Sequence, residues 1–122
     1  MGMQIETRLS DQLGRYLDLA TSEAKLTATN MANIDTPGYR AMGMDFEGEM
    51  RAALNGVDKD LPAQPLHLKT VDGLVSRPDG NNVSMDREGL NLAEAQLRFK
   101  TGVTLLRQEN QRVMDAIHAD GK

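Results

Sequence analysis

Asn30-Met31-Ala32-Asn33-Ile34-Asp35-Thr36-Pro37-Gly38-Tyr39 ends a long helical pattern with a stereochemically specified turn. Upstream, Leu9, Leu13, Tyr16, Ala20, Ala24, Thr27, Met31 and Ile34 recur three and four residues apart, which puts them on one stripe of an α-helix. Pro37 then withholds an amide hydrogen, fixes its own φ and disfavours helical geometry at Thr36. Gly38 can take the positive φ that such a turn requires. Asn30, Asn33 and Asp35 offer side-chain groups to the backbone left unpaired where the helix stops.

The other end of the chain repeats the stripe. Leu92, Ala95, Phe99, Val103, Leu106, Asn110, Val113 and Ile117 are spaced three or four residues apart, close to a heptad seam, with Glu94, Arg98, Arg107, Glu109, Arg112 and Asp115 on its flanks. Two helices follow, one of about 37 Å over 9–33 and one of about 52 Å over 85–119 at the standard rise per residue. Leu9, Leu13, Tyr16 and Ala20 are expected to pack on Leu92, Phe99, Val103, Leu106, Val113 and Ile117. Leu17, Leu19 and Leu26 near the start, and Leu90, Leu97 and Leu105 near the end, fall outside the stripes and predict further apolar surface for partners. A three- or four-helix bundle that buries both stripes internally is equally compatible with the periodicity.

Between the helices, 41–55 begins with alternating residues and drifts to helical spacing, which predicts an extended segment and a short helix. Residues 56–65 read as an exposed loop. Leu66, Leu68 and Val71 before Asp72-Gly73, with Leu74 and Val75 after it, predict a small β-hairpin that leans on a helix or a neighbouring subunit. Ser84 or Asp86 is positioned to cap the last helix. The expected fold is therefore mainly α: long N- and C-terminal helices paired as an antiparallel coiled coil, with an extended middle segment and a small β-hairpin. As one structural domain it divides into 1–35, 36–83 and 84–122.

A chain of 122 residues with 3% aromatic content and no tryptophan, and a mean hydropathy of −0.48, has little material for a self-sufficient core. The net charge is −4, and the acidic excess sits in the middle: 34–83 carries eight acidic and five basic residues, while 84–122 carries six of each. Without a basic patch interleaved with aromatics, nucleic-acid binding has no support. The chain has no cysteine, which excludes a disulfide framework, thiolate metal sites and thiol nucleophiles. No apolar run approaches the roughly 20 residues that span a bilayer. Charged residues from Glu6 to Glu23 are expected to preclude a cleaved secretory signal.

No catalytic pair, metal set or cofactor loop stands out, so no enzyme activity, metal or cofactor is expected. His67 and His118 lie far apart and are expected in solvent or packing roles. Gly38, Gly43 and Gly48 lack the strand-to-helix context of a phosphate loop. Met31, Met42, Met44 and Met50 gather around the turn, where flexible thioethers fill gaps.

The run Ala28-Thr29-Asn30-Met31-Ala32-Asn33-Ile34-Asp35-Thr36-Pro37-Gly38-Tyr39-Arg40 resembles the signature that closes the first helix in flagellar axial proteins of the rod and hook. Residues 41–47, Leu66-His67-Leu68, 79–88 and 92–99 extend the resemblance toward the proximal rod members of that family. Phe99 stands where tyrosine is common, and Met42-Gly43-Met44 replaces more polar residues. The resemblance implies a structural subunit of the basal-body rod, a helical drive shaft in the periplasm. Export would run through the flagellar type III apparatus, without a cleaved signal peptide. Implied partners are further copies of the chain, other proximal and distal rod proteins, the protein joining rod to MS ring, and the export gate. Asn30, Asn33, Asp35, Thr36, Pro37, Gly38 and Tyr39 would form the turn that sets the first helix against its neighbours. A soluble helical adaptor or export chaperone is the alternative.

Overall fold

The computed structural model describes residues 7–120. Its elements are α1 (Arg8–Ala32), β1 (Met42–Gly43), α2 (Phe46–Asp58), β2 (Lys69–Thr70) and α3 (Met85–Asp120). Both α1 and α2 pack through the first helix, and α3 runs antiparallel to α1 along its length: Thr7 meets Glu109, Tyr16 and Leu17 meet Gly102, Glu23 meets Arg98, and Asn30 meets Glu88.

Thr7 starts α1 with a capping box, in which its hydroxyl accepts from the Ser10 amide at 3.0 Å while the Ser10 hydroxyl accepts from the Thr7 amide at 2.8 Å. Two orphan donors are thereby satisfied at once. At the far end, the Asn33 amide donates to the Thr29 and Asn30 carbonyls, and the Asn33 side chain donates to Thr29 at 2.8 Å. Ser84 serves α3 as expected of a cap, its hydroxyl accepting from the Arg87 amide at 3.3 Å.

The middle segment holds the extended stretch and the short helix expected of 41–55. The Asp72-Gly73 hairpin does not form. β2 pairs instead with β1, Met42 opposite Thr70 and Gly43 opposite Lys69 in antiparallel register. Gly73 does bend, with φ +80°, but Leu74 and Val75 do not return along β2, and Val75 is 89% exposed. The reason is energetic. A lone hairpin is marginal in water, whereas β1 is already held in place through Met42, so β2 gains more by pairing with it.

The apolar core is thin. Among the described residues, Leu13, Leu19, Ala20, Ala41, Val83 and Ala95 are the buried hydrophobic ones, joined by buried Thr27, Asn30, Asn81, Asn82, Glu88 and Glu109. The inward line of α3 passes through Glu88, Ala95, Gly102 and Glu109, all buried and each seven residues from the last. Small residues thus fill the middle of the line and carboxylates its two ends. A Cβ on Gly102 would lie 2.7 Å from Leu17 Cδ2 and 3.0 Å from Tyr16 Cδ2, so α1 approaches α3 there as closely as a glycine permits.

α2 lies on the side of α1 away from α3 and covers Leu19, which the periodicity had placed outside the packed stripe. Leu17 and Leu26 are half-buried. Leu90, Leu97 and Leu105 are exposed, at 62%, 66% and 44%, in agreement with the expectation of apolar surface beyond the helix pair. The Phe46 ring joins all three helices. It meets the Tyr16 ring edge-on, with centroids 5.7 Å apart, and lies 4.1 Å beneath the Arg98 guanidinium. Arg98 is itself held by both Glu23 oxygens at 2.6 and 2.8 Å. Edge-to-face and cation–π geometry of this kind add to the area buried.

Candidate functional site

The turn after α1 is built around Asn30, 1% exposed. Its Nδ2 donates to the Met42 carbonyl at 2.8 Å and to Glu88 Oε1 at 2.9 Å, while its Oδ1 accepts from the Tyr39 hydroxyl at 3.0 Å and the Met42 amide at 3.1 Å. An asparagine side chain has two donor hydrogens and two acceptor sites, so every one is used. One side chain ties the end of α1 to the turn, to β1 and to the first turn of α3. The buried Glu88 is completed by Arg87 Nη1, 2.8 Å from Oε2, as a buried carboxylate requires.

Thr36-Pro37-Gly38-Tyr39 closes a β-turn by the Tyr39 amide donating to the Thr36 carbonyl at 3.2 Å, with Gly38 at φ +75°. Proline at the second position and a positive-φ glycine at the third is the type II pattern. The Thr36 hydroxyl donates to Asn33 Oδ1 at 3.0 Å. Asp35, Thr36, Pro37 and Gly38 are exposed, while Asn33 and Tyr39 are half-buried. The turn therefore offers a rigid polar tip to its surroundings and keeps its anchors inside.

Residues 77–83 clamp that tip from the other side. Asn81 Nδ2 donates to the Asn33 and Thr36 carbonyls at 2.8 and 2.9 Å, and its Oδ1 accepts from the Val83 amide at 2.8 Å. The Gly38 amide donates to the Asp79 carbonyl at 2.8 Å, Asn82 Oδ1 accepts from the Ala41 amide at 2.6 Å, and Arg77 donates to the Ile34 carbonyl. A Cβ on Gly80, itself at φ +87°, would come within 3.3 Å of Gly38 Cα, so the two backbones touch through paired glycines. Asn81, Asn82, Arg77 and Glu88 escaped the sequence reading, because 78–82 has the composition of a plain solvent turn. The double asparagine next to Asp79-Gly80 was the available signal: short amides that bond local backbone are suited to holding two turns together.

Of the residues expected at the helix pair, Leu13 and Ala20 are buried; Tyr16, Leu92, Val103, Leu106 and Val113 are half-buried; and Leu9, Phe99 and Ile117 are exposed. The line through Gly102 turns the Phe99 side outward. His67 lies beside Glu49, whose Oε1 is 3.1 Å from its Nδ1 and accepts from its backbone amide at 2.8 Å. His118 is exposed in the last turn of α3. Among the described residues no group of three or more histidine, cysteine or carboxylate side chains is placed to hold a metal ion, and no helix is long and apolar enough to cross a membrane.

At the opposite end of the pair, the Thr7 hydroxyl donates to Glu109 Oε2 at 2.5 Å, and Arg112 donates to both Glu109 oxygens at 2.8 and 3.0 Å. The Arg112 bonds first, and that of Thr7 second, lower the Glu109 carboxyl from an ordinary 4.5 to about 2. A carboxylate held down in the folded state stabilises it above the unfolded value and loses that effect as pH falls through the folded one. Glu109→Gln is thus expected to be less stable than the parent chain at pH 7, with the gap closing between pH 4.5 and 2. Urea unfolding of both chains across that window checks it; a gap independent of pH would contradict the assignment.

No protein-family model matches the chain. Curated relatives do. The flagellar basal body rod protein FlgB of Salmonella typhimurium is 32% identical over 119 residues, covering 83% of this chain and 86% of the relative. FlgB of Cereibacter sphaeroides is 32% identical over 127 residues, with 93% and 99% covered. FlgB of Escherichia coli is 29% identical, with 84% and 88% covered.

Proposed function

Because the chain belongs to the family of flagellar basal body rod proteins named FlgB, we propose that it is a subunit of the proximal segment of the rod, where it polymerises into the helical shaft that transmits torque. It is a structural protein of the basal body, and the reading as an adaptor or chaperone is set aside. The observation that carries the finer reading is the saturated turn. A subunit that passes torque needs a rigid connection between its long helices and its contact tip, and Asn30 with Asn81 supplies one by side-chain bonds rather than by a large core.

In this reading α1 and α3 pair as an antiparallel coiled coil within one domain, made of 1–35, 36–83 and 84–122, and Leu13, Tyr16, Ala20, Leu106 and Val113 form its packing line. Leu9, Phe99 and Ile117, exposed in the single chain, are left to neighbours. The partners are further copies, other proximal and distal rod proteins, the protein joining rod to MS ring, and the export gate. Delivery runs through the flagellar type III apparatus. A thin apolar core and the absence of cysteine favour passage as an unfolded chain, with the cost of ordering offset by neighbours' surface.

Mass spectrometry of purified hook–basal bodies should find the chain among the stoichiometric components; abundance in the cytosol alone would sink the proposal. Gly38→Val forces a branched residue to φ +75°, at a cost of about 1–3 kcal/mol. That variant, and to a lesser degree Pro37→Ala, should reduce swimming in soft agar and the yield of rods. Normal motility in both would remove the turn from assembly.

A further inference from the structure

Two apolar surfaces of the chain are left uncovered, and they face in opposite directions. The first is a groove of about 400 Å³ between α1, α2 and the 61–66 loop, lined by Leu19, Ala52, Ala53, Leu61, Pro62 and Leu66, with Asp18 and Glu49 at its rim. Asp18 and Ser22, which also border it, lie on the side of α1 opposite Leu13, Ala20 and Thr27, the residues turned to α3. The second surface is the outer face of α3, where Leu90 and Leu97 are 62% and 66% exposed. Those leucines lie half a turn round α3 from Glu88, Ala95 and Gly102, which face α1. They stand two helical turns apart, about 10 Å along the axis, with Lys100 and Arg107 further along the same side.

We propose that the α3 face of one copy docks in the α1–α2 groove of the next, Leu90 and Leu97 entering the groove and Lys100 and Arg107 meeting its acidic rim. The occupant is a second copy because both complementary halves, apolar and charged, are present on one chain. Surfaces on opposite sides of a subunit make a heterologous contact, which extends as an open helical array and does not close into a dimer. The inference rests on the rod-subunit reading and adds to it the faces that touch.

Sedimentation velocity on the full-length chain tests it. The parent chain should associate with rising concentration and no fixed end-point. Leu90→Glu/Leu97→Glu, which spoils the face, and Ala52→Arg/Ala63→Arg, which spoils the groove, should each be monomeric with unchanged helix content by circular dichroism. Leu90→Gln/Leu97→Gln replaces the first pair if its helix content falls. Mixed in equal amounts, the face variant and the groove variant retain one intact groove and one intact face, and should stop at a heterodimer. A mixture that stays monomeric, a variant that associates like the parent, or a parent monomeric at all concentrations would each overturn the proposal. The basal-body measurement separates this from the rod reading: a chain found in basal bodies whose variants do not form the heterodimer is a rod subunit joined through other faces.

Discussion

Asn30→Ala should lower the unfolding free energy by about 3–5 kcal/mol, since several buried groups lose partners together. The Glu88 carboxylate, at 0% exposure, would lose the donor on Oε1, and the Met42 amide and carbonyl and the Tyr39 hydroxyl would lose theirs. No water-accessible alternative lies close to Asn30, which is itself buried. The loss is large against a core of few buried apolar residues, so α3 should detach at its start and β1 should release β2. Urea unfolding followed by circular dichroism measures the first effect, and hydrogen exchange at the Met42 and Val71 amides the second. Asn33→Ala is the control: its side chain caps an exposed turn, and its loss should cost only about 1 kcal/mol. Equal costs for the two variants would remove Asn30 from the centre of the fold.

Gly102→Val should cost about 1–3 kcal/mol by overpacking. The added carbons enter space already held by Leu17 Cδ2 and Tyr16 Cδ2, which a single Cβ would meet at 2.7 and 3.0 Å. Tyr16 cannot retreat freely, because its ring is packed edge-on to Phe46, and Phe46 is covered by Arg98. Gly102→Ala should be close to neutral: the flexible end of Leu17 can yield, and alanine gains about 1 kcal/mol of helix propensity over glycine. Thermal unfolding of the three chains should place alanine near the parent and valine well below it. A valine variant as stable as the parent would mean that the helices are not held at glycine distance.

Much of this was legible beforehand. Pro37 and Gly38 marked where α1 ends because their constraints are local and covalent. The two long stripes marked α1 and α3, and Leu90, Leu97 and Leu105 were recognisable as surplus to one packing seam. The rest depends on partners distant in sequence. The Asp72-Gly73 bend is real, but its strand pairs with 42–43 because Asn30 has already fixed that segment, a relation no local pattern encodes. The inward line of α3 was misplaced because it runs through two glutamates, an alanine and a glycine, whereas periodicity follows leucine, phenylalanine and valine. Leu19 belonged to a third helix whose position only the folded chain reveals.

The antiparallel order of the contacts also fixes how the subunit yields to force. The start of α1 and the last turns of α3 lie at the same end of the molecule, so a pull on the two ends peels the helices apart one contact at a time. Thr7 and Glu109 part first, then the apolar middle, and Asn30 and Glu88 last. A load that slides one helix past the other strains all of these contacts together. The same pair is therefore easily unzipped and strongly resists shear, a directional strength that a short subunit without covalent crosslinks would otherwise lack.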